Sequence, residues 1–389
     1  MSGRPHSHRR RAFRPICHRL ESRELLSGTM SLVHSAAKPA AMVAGHPDAQ
    51  SHRLRGPILP KLNSNPDASF STVPSNGDVN PYGVAIVPKG FPGGGLIHPG
   101  DTLVSNFNNS SNAQGTGTTI VDISPSGSQS VFFQNPNDSG LNTTLATLRS
   151  GFVLVANTPA SNLVPTSAGS LLILDRHGNV VSTLSNPTLL NGPWGLTVND
   201  LGGRAQVFVS NVYSGTVTRI DLSIPHRGNK VVVQSMVQIA SGYSQRPDPV
   251  AFWVGPTGLA YNSATGVLYV ASTDDNAIYA IHNAARTRSD QGTGSLVYQD
   301  PAHLRGPLGL VLAPNGDLLT SNGDVINGDP TKPSEIVEFT PSGMYVGQLS
   351  VNSAQGAAFG LAVTTTKHRL TLAAVNDGTN TLDLRSMSF

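Results

Sequence analysis

A short segment built around a glycine recurs along this chain, and its spacing constrains the fold more than any other feature. In each copy the glycine precedes an apolar run, and the copies lie at 81–86, 193–198, 256–261, 307–312 and 358–363. Successive glycines are 51 to 63 residues apart in the last three intervals but 112 apart in the first. The long interval predicts a degenerate copy at 141–147, with Thr144 or Leu145 in place of the glycine.

An apolar strand that ends in a small polar residue follows every one of these segments. The end residues recur every 50 to 61 positions and are Asn106, Asn157, Asn211, Ser272, Asn322 and Asn376. A third, alternating strand comes next in each copy, and a fourth can be placed in all copies except the last. A strand at about 69–73, ahead of the first copy, has the spacing of the missing fourth strand.

Four strands in every 50 to 60 residues, repeated six times, are typical of a β-propeller. The predicted fold class is therefore all-β: a six-bladed β-propeller at 69–389, with its last blade closed by the N-terminal strand at about 69–73. Such closure removes the open edge that the last blade would otherwise expose. Residues 1–55 are predicted to form a basic disordered leader, and 56–68 a linker.

Charge separates the two parts of the chain and excludes several partners. Residues 1–55 carry ten Lys/Arg and three Asp/Glu side chains, whereas the remaining residues carry sixteen basic and twenty acidic ones. Because the propeller region is slightly acidic, it lacks the basic balance typical of a nucleic-acid-binding domain. No run of about 18 apolar residues occurs, so the sequence predicts no transmembrane helix.

The leader has two interpretations. Its segment RLESRELLSG, at 19–28, resembles the L-E-x-R-x-L-L-S leader of exported bacterial proteins, and the resemblance implies an exported or cell-surface protein. A standard signal peptide is not evident, because polar residues interrupt the best apolar stretch at 25–37. The other interpretation is a disordered basic tail.

The repeated pattern resembles that of the NHL-repeat class of six-bladed propellers. The resemblance is carried by P-x-G-[LV]-[AT]-h, by the strand h-h-V-[AS]-N and by the I-x-x-[IF] strand after it, and it covers about 69–389. It implies the same six-bladed architecture. Two departures are that the second copy lacks its glycine and that Asn stands where the class prefers Asp.

The polar residues that end the second strands form the main candidate site. In a propeller, the loops that lead into strand one and leave strand two share one face of the disc. The six residues, Asn106, Asn157, Asn211, Ser272, Asn322 and Asn376, are therefore expected to ring the mouth of the central channel and to hydrogen-bond a ligand. Alternatively, their side chains bond to their own backbone and shape a tight turn.

Aromatic residues on the same face are further candidates. Tyr82, Trp194 and Phe359 each precede a first-strand glycine, where they would stack on a sugar or grip a peptide. Alternatively, they fill the gaps between neighbouring blades. Trp253 lies in an insert at 249–255, which is either a lid or partner surface or a longer blade edge.

Two acidic loops are candidates for a calcium site. Asp324 and Asp329 lie in one loop, and Asp274 and Asp275 lie in the other. Calcium accepts irregular sets of oxygen ligands from turns, although the spacing here is not that of an EF-hand. Alternatively, these stretches are ordinary exposed turns and the protein has no cofactor.

The gluconolactonase family, which shares the six-bladed ring, supplies an enzymatic alternative. That resemblance would imply a metal-dependent hydrolase or lyase, with a central divalent ion held by Glu, Asn and Asp and an Asp as base. Only two glutamates, Glu335 and Glu338, follow residue 24, and both lie on the predicted third strand of the fifth blade. The sequence therefore favours a non-catalytic binding or scaffolding module that recognises a protein, peptide or glycan at the channel mouth.

Overall fold

The computed structural model describes residues 54–135, 142–161, 163–224, 230–323 and 325–389. They belong to the compact unit His52–Phe389, one of two units into which the chain divides. The predicted leader lies outside the described residues except for Leu54 and Arg55. None of the helical segments among the described residues is long or apolar enough to cross a membrane.

Six four-stranded antiparallel sheets form this unit, one for each predicted blade. A short 3-10 helix (Leu59–Lys61) and the strand β1 (Ala68–Ser71) precede the blades. The first three blades contain β2 (Val79–Ile86), β3 (Thr102–Asn108), β4 (Thr119–Ile123) and β5 (Gln129–Gln134); β6 (Asn142–Leu148), β7 (Phe152–Asn157), the hairpin strands β8 (Ala160–Ser161) and β9 (Val164–Pro165), β10 (Ser170–Asp175) and β11 (Val180–Leu184); and β12 (Pro193–Asp200), β13 (Arg204–Asn211), β14 (Thr216–Ser223) and β15 (Val232–Ala240). The last three follow a second hairpin and contain β16 (Arg246–Asp248), β17 (Phe252–Val254), β18 (Pro256–Asn262), β19 (Val267–Ser272), β20 (Ala277–Ile281) and β21 (Ser295–Tyr298); β22 (Pro307–Leu312), β23 (Leu318–Asn322), β24 (Ser334–Phe339) and β25 (Tyr345–Asn352); and β26 (Ala358–Thr366), β27 (Arg369–Asn376) and β28 (Thr381–Ser388).

The N-terminal strand closes the sixth blade, which confirms the prediction of a six-bladed propeller joined by its two chain ends. Strand β1 pairs antiparallel with β28, with Ala68 opposite Leu384 and Ser71 opposite Thr381. The sheet order in this blade is β1-β28-β27-β26. The paired strand thus begins one residue before the predicted range of 69–73 and ends two residues before its end.

The close approach of neighbouring first strands explains the recurring glycine. A Cβ atom on Gly195 would overlap the carbonyl oxygen of Thr257 in the next blade. The same kind of overlap with the next blade's carbonyl would occur at Gly83, Gly258, Gly309 and Gly360. In the second blade Thr144 holds this position, and its hydroxyl donates a 2.6 Å hydrogen bond to the Trp194 carbonyl oxygen. The degenerate copy therefore keeps contact with the next blade through a side chain.

A serine in the second strand also connects neighbouring blades. Ser210 Oγ accepts a hydrogen bond from the Gly195 amide at 2.9 Å and donates one to the Thr257 carbonyl oxygen at 2.7 Å. Ser105 and Ser321 make the equivalent pair of contacts in the first and fifth blades. Three of the serines in the recurring strand motif thus bond one blade to the next.

The hydrophobic core lies between the blades. Six clusters of buried apolar side chains are each formed mainly by two adjacent blades, as where Leu154 of the second blade packs in one cluster with Val207 of the third. Strands β7 and β19 are buried along their whole length, on both faces. Burial on both faces explains why such strands have nearly continuous apolar sequences rather than alternating ones.

The N-terminal segment, defined here as residues 54–62, packs against the fifth and sixth blades. Ile58 and Leu59 are buried in the same cluster as side chains of both blades. The Glu338 carboxylate on β24 accepts hydrogen bonds from the backbone amides of Ile58, at 2.9 Å, and Leu59, at 2.7 Å. The predicted linker at 56–68 therefore contains a packed segment as well as part of the closing strand.

Candidate functional site

The first strands of all six blades line a central channel. Its cavity has a volume of about 400 Å³ and is bordered by backbone and side chains of β2, β6, β12, β18, β22 and β26. Tyr82, Trp194, Leu308 and Phe359 line this channel and also a second cavity at its mouth. These four side chains therefore lie between the two cavities.

Tyr82, Trp194 and Phe359, which were predicted from separate repeats, meet at the channel mouth. Trp194 Nε1 donates a 2.6 Å hydrogen bond to the Tyr82 hydroxyl, and the two rings meet edge to face with centroids 5.9 Å apart. The ring centroids of Tyr82 and Phe359 are 5.3 Å apart. Tyr82 and Trp194 are 7% and 3% exposed, and burial raises the pKa of Tyr82. These rings pack against one another across the channel, in addition to lining the cavity above it.

The cavity at the mouth, called the mouth cavity below, has a volume of about 470 Å³. Its aromatic side chains are Tyr82, Phe107, Trp194, Trp253 and Phe359, and its polar ones are Asn80, Gln114, Asp248, Thr273, Gln355 and Asp377. Within the described part of the chain, no lysine, arginine or histidine lines it. The cavity therefore offers aromatic surface and uncharged or acidic hydrogen-bonding groups, but no cation that would favour an anionic ligand.

The hairpin of β16 and β17 forms one wall of the mouth cavity, as the insert at 249–255 suggested. Arg246 joins the hairpin to the fourth blade, with its Nη1 2.6 Å from Asp248 Oδ2 and its Nε 3.0 Å from Asp274 Oδ1. Trp253 packs edge to face on Tyr213, with ring centroids 4.6 Å apart, and donates a 2.9 Å hydrogen bond from Nε1 to Gln245 Oε1. The Trp253 ring is thereby held in one orientation beside the cavity.

Two carboxyl groups in the mouth cavity have different electrostatic environments. Burial raises the pKa of Asp377 from 3.8 to about 6, and its carboxylate accepts no hydrogen bond from any other described residue. Burial also acts to raise the pKa of Asp248, but the amides of Ala251 and Val250 and the Arg246 guanidinium outweigh it and lower that pKa. At mildly acidic pH, Asp377 therefore carries a proton while Asp248 is ionised.

The six polar residues that end the second strands lie away from this cavity. Asn106, Asn157, Asn211, Ser272, Asn322 and Asn376 are at most 5% exposed, and none of them lines the mouth cavity. The prediction that they ring the channel mouth places them on the correct face of the disc but too deep in it. Each lies one position deeper than the loop residues that do line the cavity, such as Phe107, Thr273, Gly323 and Asp377.

Most of these residues hold the segment that leads into their own blade. Asn322 Nδ2 donates to the His303 carbonyl oxygen at 2.8 Å, and Asn322 Oδ1 accepts from the Arg305 amide at 3.0 Å. Asn211 makes the equivalent contacts with Leu189 and Asn191. Ser272 instead donates a 2.6 Å hydrogen bond to Asp275 in the turn that follows its strand. The side chains thus fix loops, mostly through the connection between blades rather than through the turn proposed from the sequence.

The four acidic residues considered for calcium are not brought to one site. Asp274 pairs with Arg246, and Asp275 accepts from Ser272, whereas Asp329 accepts hydrogen bonds from the amide and hydroxyl of Thr331. Asp324 lies outside the described residues. Among the residues that are described, no group of three or more His, Cys, Asp or Glu side chains is arranged to hold a metal ion.

The two body glutamates also lie apart from the channel. Glu335 Oε2 is 2.6 Å from Arg305 Nη2 in a buried ion pair, and Glu338 binds the N-terminal segment. Neither lines the central channel. The glutamate ligand that the gluconolactonase resemblance would imply is therefore not found at the channel among the described residues.

Several residues of the mouth cavity were missed by the sequence analysis. Asp377 directly follows Asn376 and leaves the second strand of the last blade, so the repeat itself marked its position. Asp248 directly precedes the insert that contains Trp253. Gln114 and Gln355 lie in loops without a recurring pattern, and the sequence carries no signal that would have identified them.

Comparison with known proteins identifies the fold but not a family. No protein-family model matches this chain, and no curated protein sequence matches it either. Among solved structures, the chain is similar to regucalcin, a calcium-binding protein from Agrobacterium tumefaciens, with 13% identity, a TM-score of 0.50 and coverage of 82% of this chain and 94% of that one. A gluconolactonase from Xanthomonas campestris gives 13% identity, a TM-score of 0.45 and coverage of 86% and 98%. A nidogen–laminin complex gives 9% identity, a TM-score of 0.45 and coverage of 72% and 83%. At this level of identity the likeness to regucalcin shows a shared fold, in agreement with the six blades described above.

Proposed function

We propose that this propeller is a non-catalytic binding module that recognises a neutral glycan in the mouth cavity. The observation that carries the proposal is the combination of an immobilised, partly exposed Trp253 ring with amide and carboxyl groups that line the same cavity. A sugar ring has an apolar face of C–H groups and an edge of hydroxyl groups. The first matches an aromatic ring, and the second matches side chains such as Gln355 and Asp377.

The size and charge of the cavity favour a glycan over the peptide and protein ligands. A volume of about 470 Å³ lies within the usual range for small-molecule sites, which is roughly 300–1,000 Å³. The absence of cationic side chains from its described lining disfavours anionic ligands. Asp377, which lacks a protein donor, is available to exchange hydrogen bonds with a ligand hydroxyl.

The proposal includes a location outside the cytoplasm. It is supported by the resemblance of RLESRELLSG to exported bacterial leaders and by that of the repeats to NHL propellers. A fusion of residues 1–55 to a reporter enzyme that is active only after export would test it. Export of the reporter supports the proposal, and retention in the cytoplasm contradicts it.

Tryptophan fluorescence offers a direct test of the binding site, because both tryptophans of the chain line the mouth cavity. A glycan array probed with the full chain would select neutral oligosaccharides, and fluorescence titration would then measure their affinity. We expect a saturable change that is lost in Trp253→Ala. Tyr345→Ala, which removes an exposed aromatic ring away from the cavity, is the matched control.

Two results would contradict the glycan proposal. One is the absence of any bound oligosaccharide on the array. The other is an affinity that Trp253→Ala leaves unchanged while a selected oligosaccharide still binds.

A second candidate, hydrolysis of a lactone or glycoside in the same cavity, is favoured by Asp377. A carboxylic acid whose pKa is about 6 can donate a proton near neutral pH, which general acid catalysis requires. Product formation from sugar lactones and aryl glycosides would be followed with the full chain and with Asp377→Asn. A rate that falls as the pH rises through about 6 and is lost in the variant supports this candidate, whereas no turnover leaves the binding proposal alone.

A further inference from the structure

Two equivalent clefts flank the sixth blade on the face opposite the mouth, and only one of them is filled. The N-terminal segment, residues 54–62, buries Leu54, Ile58, Leu59 and Leu62 between the fifth and sixth blades. On the other side of the sixth blade, facing the first, lies a cavity of about 1020 Å³. We call this second space the open cleft. It is bordered by the ends of β2 and β28 and by the hairpin between β26 and β27.

The repeat register shows that the two clefts are built from equivalent positions. Ile336 and Glu338 on β24 pair with the second strand at the places where Leu382 and Leu384 on β28 pair with theirs. Glu338 contacts the N-terminal segment, and Leu382 and Leu384 line the open cleft. The open cleft thus has the geometry of a site that already accepts a short apolar segment one blade away, with leucine in place of the anchoring glutamate.

The polarity of the open cleft suits a peptide better than an acyl chain. Apolar side chains such as Phe70, Ile86 and Leu384 form part of its lining, but Thr364, Thr371 and Ser386 also border it. Hydroxyl groups that are covered by a ligand need hydrogen-bond partners, and an unpaired one costs about 1–3 kcal/mol. A peptide backbone supplies donors and acceptors for these groups, whereas a hydrocarbon chain supplies none.

The charges around the two clefts are reversed. The segment in the filled cleft carries Arg55 and Lys61 and binds the acidic Glu338. The open cleft is lined by three exposed cationic side chains, Lys89, Lys367 and Arg369. One carboxylate, Asp67, also lines it, with Oδ2 3.6 Å from Arg369 Nη2. This balance favours an occupant that carries acidic residues and disfavours the basic segment that fills the neighbouring cleft.

We propose that the open cleft between the sixth and first blades binds a short, extended, apolar segment with acidic side chains from a partner protein. Its leucines or valines would occupy the apolar floor beside Leu382 and Leu384, as those of the N-terminal segment do beside Ile336. Its carboxylates would pair with Lys367 and Arg369. This site is separate from the mouth cavity and does not depend on the glycan proposal.

The N-terminal segment itself provides the probe. A fluorescently labelled nonapeptide of residues 54–62 that carries Arg55→Glu and Lys61→Glu retains the apolar pattern and reverses the charge. The nonapeptide with the natural residues is the control. Anisotropy titration with the full chain should show saturable binding of the acidic peptide, and affinity at least about tenfold weaker for the basic one, because the rim charges repel it.

Charge reversal in the cleft identifies the site. Lys367→Glu combined with Arg369→Glu should weaken binding of the acidic peptide at least about tenfold and should strengthen binding of the basic one. Lys332→Glu combined with Arg286→Glu, two exposed positions outside the cleft, is the matched control and should change neither affinity. Melting temperatures of both double variants would verify that they fold.

Three outcomes would overturn the proposal. The first is that the acidic peptide shows no saturable binding to the folded full chain. The second is that the acidic and basic peptides bind equally well, which would indicate non-specific apolar adsorption. The third is that reversal of Lys367 and Arg369 leaves both affinities unchanged, which would place the bound peptide elsewhere.

Discussion

Asp377→Asn should stabilise the folded protein at neutral pH while it alters the mouth cavity. In the folded protein, burial raises the pKa of this carboxyl from 3.8 to about 6. A folded pKa above the unfolded one means that the folded state holds the proton more tightly. The protonated group therefore adds stability below about pH 4, and this contribution is lost as the pH rises through about 6. Asparagine has a similar shape and stays neutral throughout.

The size of the effect follows from the difference between the two pKa values. A rise from 3.8 to about 6 corresponds to about 3 kcal/mol of free energy against the charged form in the folded state. Because the side chain keeps some contact with solvent, which screens its charge, we expect about 1–2 kcal/mol. The variant should match the parent in free energy of unfolding at pH 4 and exceed it by that amount above pH 7.

Denaturant unfolding of both proteins between pH 4 and 8 would measure this difference. Asp290→Asn is a control of opposite sign. Burial acts to raise the pKa of Asp290, but hydrogen bonds from Ser241, Gln238 and the Gly292 amide outweigh it and lower that pKa. The control should therefore destabilise the protein at neutral pH and lose this effect as the pH falls. A stability difference between Asp377→Asn and the parent that does not change from pH 4 to 8 would refute the reasoning.

Three further predictions concern the ring itself. Gly195→Ala should destabilise the protein by about 1–3 kcal/mol, because its methyl group would overlap the next blade's carbonyl, whereas Gly93→Ala, with open space around it, should be nearly silent in the same melts. Asn322→Asp should cost about 1–3 kcal/mol, because a carboxylate cannot donate to the carbonyl that the amide now bonds; an unchanged free energy of unfolding would contradict this role. Deletion of residues 1–63 should lower the melting temperature more than deletion of 1–53, since only the longer deletion removes the buried N-terminal segment, and equal melts would show that its packing is unimportant.

The fold was largely predictable because each blade repeats the same local pattern. A glycine that permits close approach and a doubly buried second strand recur in sequence wherever the ring needs them, as at Gly195 and along β19. The degenerate copy was also predictable from spacing alone, and β6 occupies it. Even the closing strand could be located, because the ring requires one more strand than the last copy contains.

The roles of the polar residues at the ends of the second strands were less predictable. A repeat shows that each blade needs Asn or Ser at this position, but not whether the need comes from a ligand or from the fold. Asn322 bonds to a segment that joins two blades, and such a contact is defined only when the blades are packed. The expectation that Asp could replace Asn almost silently assumed a turn in which the side chain only accepts hydrogen bonds.

The sequence by itself determined the number of blades, their order and the strand that closes the ring, because these follow from patterns that repeat within each 50 to 60 residues. Only the tertiary structure decided which side chains share a cavity. Tyr82 and Trp194 bond across the channel although 112 residues separate them, and Glu338 binds a segment that lies 280 residues away along the chain. The open cleft likewise exists because the N-terminal segment packs on one side of the sixth blade and leaves the other side free. Such contacts depend on the closed ring, in which distant residues become neighbours, and no local pattern encodes them.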